Sequence, residues 1–354
     1  MLLLPLLGAC SGGAAPAVGA STAVPQTGSP AVSSPATPGP TAASEITLAF
    51  AGDVHFQERT LDLLSSPDTA FGPVSDIFTS ADVSMVNLET AVTDRGTPEP
   101  KTFHFRAPTS AYQAIKAAGI DVVTVANNHA LDYGRLGLAD TLTSAEAANM
   151  PMVGAGADAA AAYAPWITTV KGVKIAFLGF SEIQELAPSW VAKDNRAGIA
   201  MAYDEASTAR AVAAVRAARA RSDVVVVYMH WGEEYNQCAI AAQKTLAKKL
   251  SDAGATMVVG THAHVLLGDG WLGRTFVAYG LSNFLWWYND AGSNDTGVLR
   301  VTLTGSKITK TEFVPAYISR TTGQPIPSAG AEAVRISAKF EALRPCTGLA
   351  VSPS

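Results

Sequence analysis

Charge is scarce in this chain: Asp, Glu, Lys and Arg make up 16% of its 354 residues and balance to a formal -5. Without a basic excess there is no electrostatic footprint for a phosphate backbone, which excludes nucleic acid as a partner. Long apolar runs are also missing, since no stretch reaches the roughly 20 residues that cross a bilayer as a helix. Cysteine is confined to Cys10, Cys238 and Cys346, too few and too far apart for a structural zinc cage. What the chain has in quantity is apolar residues, 48% of the total, enough to bury a large core.

Between Ser11 and Ser44 there is not one charged residue. A segment dominated by Ala, Pro, Ser, Gly and Thr cannot bury enough apolar surface to offset its ordering entropy, so 11–44 reads as a disordered linker. Extended like polyproline, it reaches on the order of 100 Å. Ahead of it, MLLLPLLGAC ends a short apolar run on Leu7, Gly8, Ala9 and Cys10. This is similar to a bacterial lipobox, in which cleavage before the cysteine leaves Cys10 to carry lipid. No Lys or Arg precedes Cys10, as a secretory leader requires, so the expected start lies upstream. The reading places the globular part on the extracellular side of the cell membrane, held by a lipid anchor, or secreted. Such an address permits a disulfide. Cys238 and Cys346 either pair, tying the C-terminal tail to the body, or stand as two separate thiols.

From Glu45 onward, strand-like and helix-like runs alternate. Strands are expected at Ile46–Ala51, Val83–Val86, Val122–Val125, Val173–Gly179, Val224–Met229, Met257–Gly260 and Thr275–Tyr279, and helices at Ser110–Ala118, Leu136–Ala148, Asp204–Arg221 and Ala239–Ala253. That order is α/β. Gly119 and Gly254 stand where C-cap glycines end a helix just before the next strand. Gly297–Leu303 and Ile308–Pro315 read as a closing strand pair. The expected plan is a 1–10 signal segment, an 11–44 linker, a 45–320 globular domain and a loosely structured 321–354 tail with one helix near Ala331–Leu343.

Polar side chains collect where these strands stop. DVVTVANNHALDYG, Asp121 to Gly134, runs from β-branched residues straight into Asn127, Asn128, His129 and Asp132, and strand ends are where open α/β sheets place ligands. GDVH follows the first strand, and Asp53 and His55, two apart in extended chain, point the same way. NLE follows the second, with Asn87 and Glu89 likewise on one side. HWGEEY puts His230 at the mouth of its strand with Glu233 close behind, and THAH puts His262 and His264 on one face. Five of the six histidines sit in such places, His104 being the exception. A lone histidine at a strand end is an ordinary polar side chain, and Asn-Asn an ordinary turn. Together the motifs form a mixed oxygen and nitrogen ligand set, suited to manganese, iron or zinc. They exceed what one tetrahedral ion takes, so two divalent ions sharing a bridging carboxylate are expected. Such a pair clamps an in-line displacement at phosphorus or polarises a carbonyl, and lowers the pKa of a bound water.

Six motifs in order, GDVHF, NLETAVT, VANNHALDYG, HWGEEY, GTHAH and YGLSNF, resemble the motif series of the CapA family, the poly-γ-glutamate capsule biosynthesis proteins, over about Ile46 to Tyr317. The resemblance implies a calcineurin-like metallophosphatase fold, a four-layer αββα sandwich. Carried over residue by residue, it implies Asp53, His55 and His264 on one ion, Asn128, His230 and His262 on the other, and Glu89 as the bridge. It also implies His129 beside the leaving group, as an acid or charge stabiliser. The chain departs from the metallophosphatase pattern in two places. NLE offers a glutamate where the bridge is usually an aspartate of a Gly-Asp motif, and Ala130 stands where an acidic residue usually follows the motif histidine, with Asp132 the substitute two positions on. Cys238 falls in a loop where related sequences often have proline, which favours the disulfide.

Between the motifs, Lys101 and Arg106 of KTFHFRAP are candidates to grip a carboxylate or phosphate, against the plain reading of a basic surface loop. Asn283 opens a stretch that ends in Trp286, Trp287 and Tyr288, a cluster able to stack on a ligand or to fill core. Two functions stand open. One is a surface-attached metal-dependent hydrolase that cuts a phosphoester or amide bond in making, exporting or attaching an anionic polymer such as poly-γ-glutamate. The other is a non-catalytic accessory lipoprotein that binds the polymer or the membrane components of its synthase.

Overall fold

The computed structural model describes Gly19 and residues 44–354; the expected 1–10 signal segment and, save Gly19 and Ser44, the expected 11–44 linker lie outside the described residues. Val224–His230 shows how the layers arise. Its alternating residues face opposite sides, and all seven are buried. Val224, Val226 and Tyr228 meet Ile46, Leu48, Phe50, Met85 and Val259 between two sheets. Val225, Val227 and Met229 pack instead on Ala211, Val215, Leu246 and Leu250 of two helices. A strand covered on both faces has to be apolar throughout, which is why this one reads VVVVYM. The other sheet repeats the arrangement, with Ala49, Val86 and Val123 against Phe78, Tyr112, Ile115 and Leu138. The result is helix, sheet, sheet, helix, the expected αββα sandwich.

The larger sheet has eight strands. Seven run in the order Pro325–Pro327, Lys307–Ile318, Asp295–Thr304, Glu45–Val54, Val83–Leu88, Val122–Thr124, Met152–Val153, and Asn283–Leu285 pairs with Glu45–Val54 off that path. The second sheet has six, in the order Leu266–Leu272, Thr275–Leu281, Met257–Thr261, Val224–His230, Val173–Ser181, Trp166–Val170. The central strands of each are parallel to one another, so their C-terminal ends gather on one edge.

Local signals explain several boundaries. Asp204 accepts from Ser207 N at 2.8 Å and the Ser207 hydroxyl accepts from Asp204 N at 3.1 Å, a capping box that starts the Glu205–Arg219 helix. Ser282, at φ 65, turns the chain out of Thr275–Leu281 in one sheet and into Asn283–Leu285 in the other. At that crossing a Cβ on Gly52 would lie 1.8 Å from Ser282 O, so only glycine fits.

The segment read as a loose tail is instead packed and tied. Its Gly330–Ala342 helix stacks Phe340 on Phe313 at 4.1 Å between ring centres, and Lys339 Nζ lies 2.6 Å from Asp295 Oδ2. Ala350 exchanges backbone hydrogen bonds of 2.8 and 2.9 Å with Trp271 on an edge strand. Cys346 is disulfide-bonded to Cys238, with Cα atoms 5.4 Å apart. The weak periodicity of the tail concealed this because its partners lie on strands far away in sequence.

Candidate metal centre

At the gathered strand ends Asn87 is the hub of a buried hydrogen-bond network. Its Nδ2 donates to Asp53 Oδ1 at 2.7 Å and lies 3.2 Å from His230 Nδ1, while its Oδ1 accepts from Asn127 Nδ2 at 3.0 Å. Asn127 in turn accepts from His129 N at 2.9 Å, which turns the chain at the end of its strand. Thr261 Oγ1 meets the same His230 nitrogen at 3.1 Å. With Nδ1 so occupied, His230 aims Nε2 at Asn128 Oδ1 (2.8 Å), His262 Nδ1 (3.1 Å) and Glu89 Oε1 (3.4 Å).

Two groups of potential ligand atoms form here, Asp53 with Glu89 and His230, and Glu89 with His262 and His264, each within 4.8 Å of one another. Glu89 is common to both, the position of a bridging ligand. Both of its carboxylate oxygens are buried without a hydrogen-bond partner. An anion in that state is costly unless a cation meets it, and the facing imidazole and carboxylate atoms are a donor set a divalent ion accepts. On that observation the residues fit a divalent metal.

Backbone geometry supports the same picture. His262 and His264 hold left-handed φ values of 89 and 57, an arrangement that costs of order 1–3 kcal/mol per residue and gathers at functional sites. A Cβ on Gly260 would sit 2.2 Å from Trp231 Nε1 and from Tyr279 O, so the strand approaches its neighbours too closely for any other residue.

Electrostatics follow from burial. Burial pushes the Glu89 carboxyl well above its ordinary value, and Asp53 pushes it further. Burial also raises Asp53, but contact with the His264 ring and the charges of His230 and His264 bring it below its ordinary value. Burial holds His55, His129 and His262 well below the usual imidazole value and His230 down at about 3. His264 goes the other way, because Asp53 and Glu89 outweigh burial and lift it to about 9.

His129 is built as a proton-handling group. Its Nδ1 lies 2.6 Å from Asp132 Oδ2, an oxygen that also accepts from Phe105 N at 2.6 Å. Nδ1 is therefore the donor, and Nε2, 3.8 Å from Glu89 Oε1, is the free nitrogen. Phe105 stacks on the ring at 3.9 Å and fixes its plane. Asp132 is pushed up to about 7 by burial, against the pull of Lys101.

Other expected site residues are engaged differently. His55 stands outside both ligand groups. Its Nε2 accepts from Trp287 N at 3.0 Å, its ring stacks on Trp286 at 3.9 Å, and its Nδ1 is buried without a partner. The Glu45–Val54 strand ends one residue before His55, whose backbone N–H donates to Leu285 O at 3.2 Å, so His55 is placed by the chain beyond the strand and by its stack on Trp286. Lys101 is turned inward, its side chain 2% exposed, between Asp132 Oδ1 at 3.0 Å and Glu185 Oε2 at 3.1 Å. Arg106 lies over the Tyr133 ring, 3.5 Å from its centre. Asn283 Oδ1 sits 2.7 Å from His264 Nδ1 and orients that ring. Sequence reasoning missed Phe105 and Thr261. Phe105 was detectable from its place inside KTFHFRAP; Thr261 acts through its contact with His230 on the neighbouring strand.

The profile of the family described as "Bacterial capsule synthesis protein PGA_cap" matches residues 47–288. The PGA biosynthesis protein CapA of Bacillus subtilis (strain 168) is 30% identical over 289 residues, 79% of this chain and 74% of that protein. The capsule biosynthesis protein CapA of Bacillus anthracis is 28% identical over 291 residues, 80% of this chain and 70% of that protein. Among solved structures, a novel phosphatase from Mycoplasma pneumoniae aligns at a TM-score of 0.47 and 13% identity, covering 77% of this chain and 94% of that one. Every strand-end motif that builds the centre falls inside the matched span, and this chain belongs to the bacterial capsule synthesis protein family PGA_cap.

Proposed function

We propose that this chain is a metal-dependent hydrolase that cuts a phosphoester or amide bond in the synthesis or export of an anionic capsule polymer such as poly-γ-glutamate. The observation that carries the reading is His129: an acid–base group held by Asp132 through one nitrogen, with the other facing Glu89 at 3.8 Å. A module that only bound polymer would have no use for a proton carrier in that place. Asp53, Glu89, Asn128, His230, His262 and His264 would hold two divalent ions, and His55 stands ready beside them with a free Nδ1. Such ions supply Lewis acidity at a phosphoryl or carbonyl oxygen and a more acidic water. The chain itself orients the ligands through Asn87, Thr261 and Asn283, excludes water behind Phe105 and Trp286, and moves a proton at His129 Nε2.

The lipobox-like Leu7–Cys10 and the uncharged segment after it support an address on the outer side of the membrane, beside the polymer synthase. The test is metal content of the purified protein together with turnover of a phosphodiester and of a γ-glutamyl amide in manganese. His129→Ala should keep its metal and lose about 10²- to 10⁴-fold in turnover. Bound metal with no turnover of either bond, or equal turnover by variant and parent, would leave the accessory role in its place.

A further inference from the structure

The two cations that the sequence offers for gripping an anionic substrate both have partners within the chain, Lys101 buried and Arg106 half-buried. Lys101 is held by Asp132, Glu185 and the Asn128 carbonyl. Arg106 is held by the Tyr133 ring and the Arg95 carbonyl. What stands at the exposed edge of the metal centre is a carboxylate: Glu234 Oε1 lies 4.0 Å from His264 Nε2, with the Glu234 side chain 52% exposed. It belongs to neither ligand group.

Glu234 does not stand there alone. Tyr235 beside it is exposed, with its ring centre 6.1 Å from that of His264. Its backbone is left-handed, at φ 61, and its N–H donates to Ala263 O at 2.7 Å. That bond ties the loop directly to the turn between His262 and His264, so the carboxylate and the tyrosine face are presented in fixed relation to the ligands. On the other flank Trp286 lies 4.7 Å from His264, and the exposed Tyr288 packs edge-on to Trp287 at 5.3 Å. A carboxylate beside an exposed tyrosine face is the chemistry that holds an ammonium group, by charge and by cation–π attraction. It also repels an anionic chain segment, and it makes a cation tolerable beside a centre suited to metal ions.

We propose that Glu234 and Tyr235 recognise a positively charged amino group carried next to the reacting bond, so that the site takes a substrate bearing a free amine in preference to the same substrate with that amine blocked. This rests on the hydrolase reading and names its substrate class. The test uses the full chain loaded with manganese and two γ-glutamyl anilides, one with a free α-amino group and one N-acetylated. Dissociation constants are measured by calorimetry and turnover is followed separately. The free amine should bind roughly 3- to 10-fold more tightly, as a partly exposed charge pair allows. Glu234→Gln should bring the ratio near one without loss of bound metal, and Glu234→Lys should invert it. An unaltered ratio in Glu234→Gln, or loss of metal from it, would overturn the proposal, the second outcome making Glu234 a ligand. Absence of turnover counts against the hydrolase reading alone, because the binding ratio is scored without it.

Discussion

Replacing Glu89 by glutamine sets two demands on one side chain against each other. Both carboxylate oxygens are buried and unpartnered, and burial, then Asp53, raises the carboxyl well above its ordinary 4.5. A carboxyl raised in the folded state costs stability as the pH climbs from its unfolded value towards its folded one. Holding this carboxyl buried and unpartnered therefore costs stability at pH 7. Glutamine removes that cost and leaves a buried amide short of partners, a penalty of about 1–3 kcal/mol. The chelator-treated variant should therefore match its parent or exceed it. Manganese at about 1,000 times its dissociation constant would stabilise the parent by about 4 kcal/mol, and the variant should lose most of that gain. The order of stability reverses between the two conditions. Urea unfolding of both proteins at pH 7, in chelator and in manganese, reads the reversal. A variant that is weaker by more than about 2 kcal/mol in chelator, or that keeps the parent's metal-induced gain, refutes the reasoning.

Asp132 carries a pH dependence of known sign. Raised from 3.8 to about 7 by burial, it costs stability as the pH rises through that window. The stability of the parent relative to Asp132→Asn should accordingly fall between those values in urea titrations, and a flat difference contradicts the assignment. The disulfide closes a separation of 108 residues, worth up to about 4.7 kcal/mol in the chain-entropy view. The double variant Cys238→Ser with Cys346→Ser should unfold at distinctly lower urea, and an unmoved midpoint speaks against a structural bond. Gly52→Ala forces a Cβ to 1.8 Å from Ser282 O and should cost about 3 kcal/mol or more. Normal yield and an unshifted melting temperature would show that the sheet crossing has room.

Much of the frame was legible because its strands are buried on both faces. Val224–His230 and Met257–Thr261 leave no polar residue until the chain reaches the site, so apolar run and strand coincide. Edge and crossing strands were not. Leu266–Leu272 holds two glycines, and Asn283–Leu285 is three residues long and directly follows another strand. Trp166–Val170 is half-exposed on an edge, without the continuous apolar signal. In the site, strand-end spacing picked out Asp53, Glu89, His230, His262 and His264, which the fold brings within reach of one another. The same spacing paired Asp53 with His55, which lies just past the end of the strand and is held by Trp286 and Trp287. Lys101 reads as a free cation because a sequence displays charge and conceals what neutralises it, here Asp132 and Glu185.

Local pattern thus determined that this chain is α/β, that polar groups of metal-ligating type end its parallel strands, and that the family motifs stand in order, since periodicity and composition act over a few residues. Tertiary structure decided which of those groups meet, that Glu89 is common to both ligand groups, that Asp132 serves His129, and that a carboxylate rather than a cation edges the site. Those outcomes depend on the two sheets packing face to face. That packing brings atoms more than 100 positions apart, such as His230 and Asn128, to 2.8 Å.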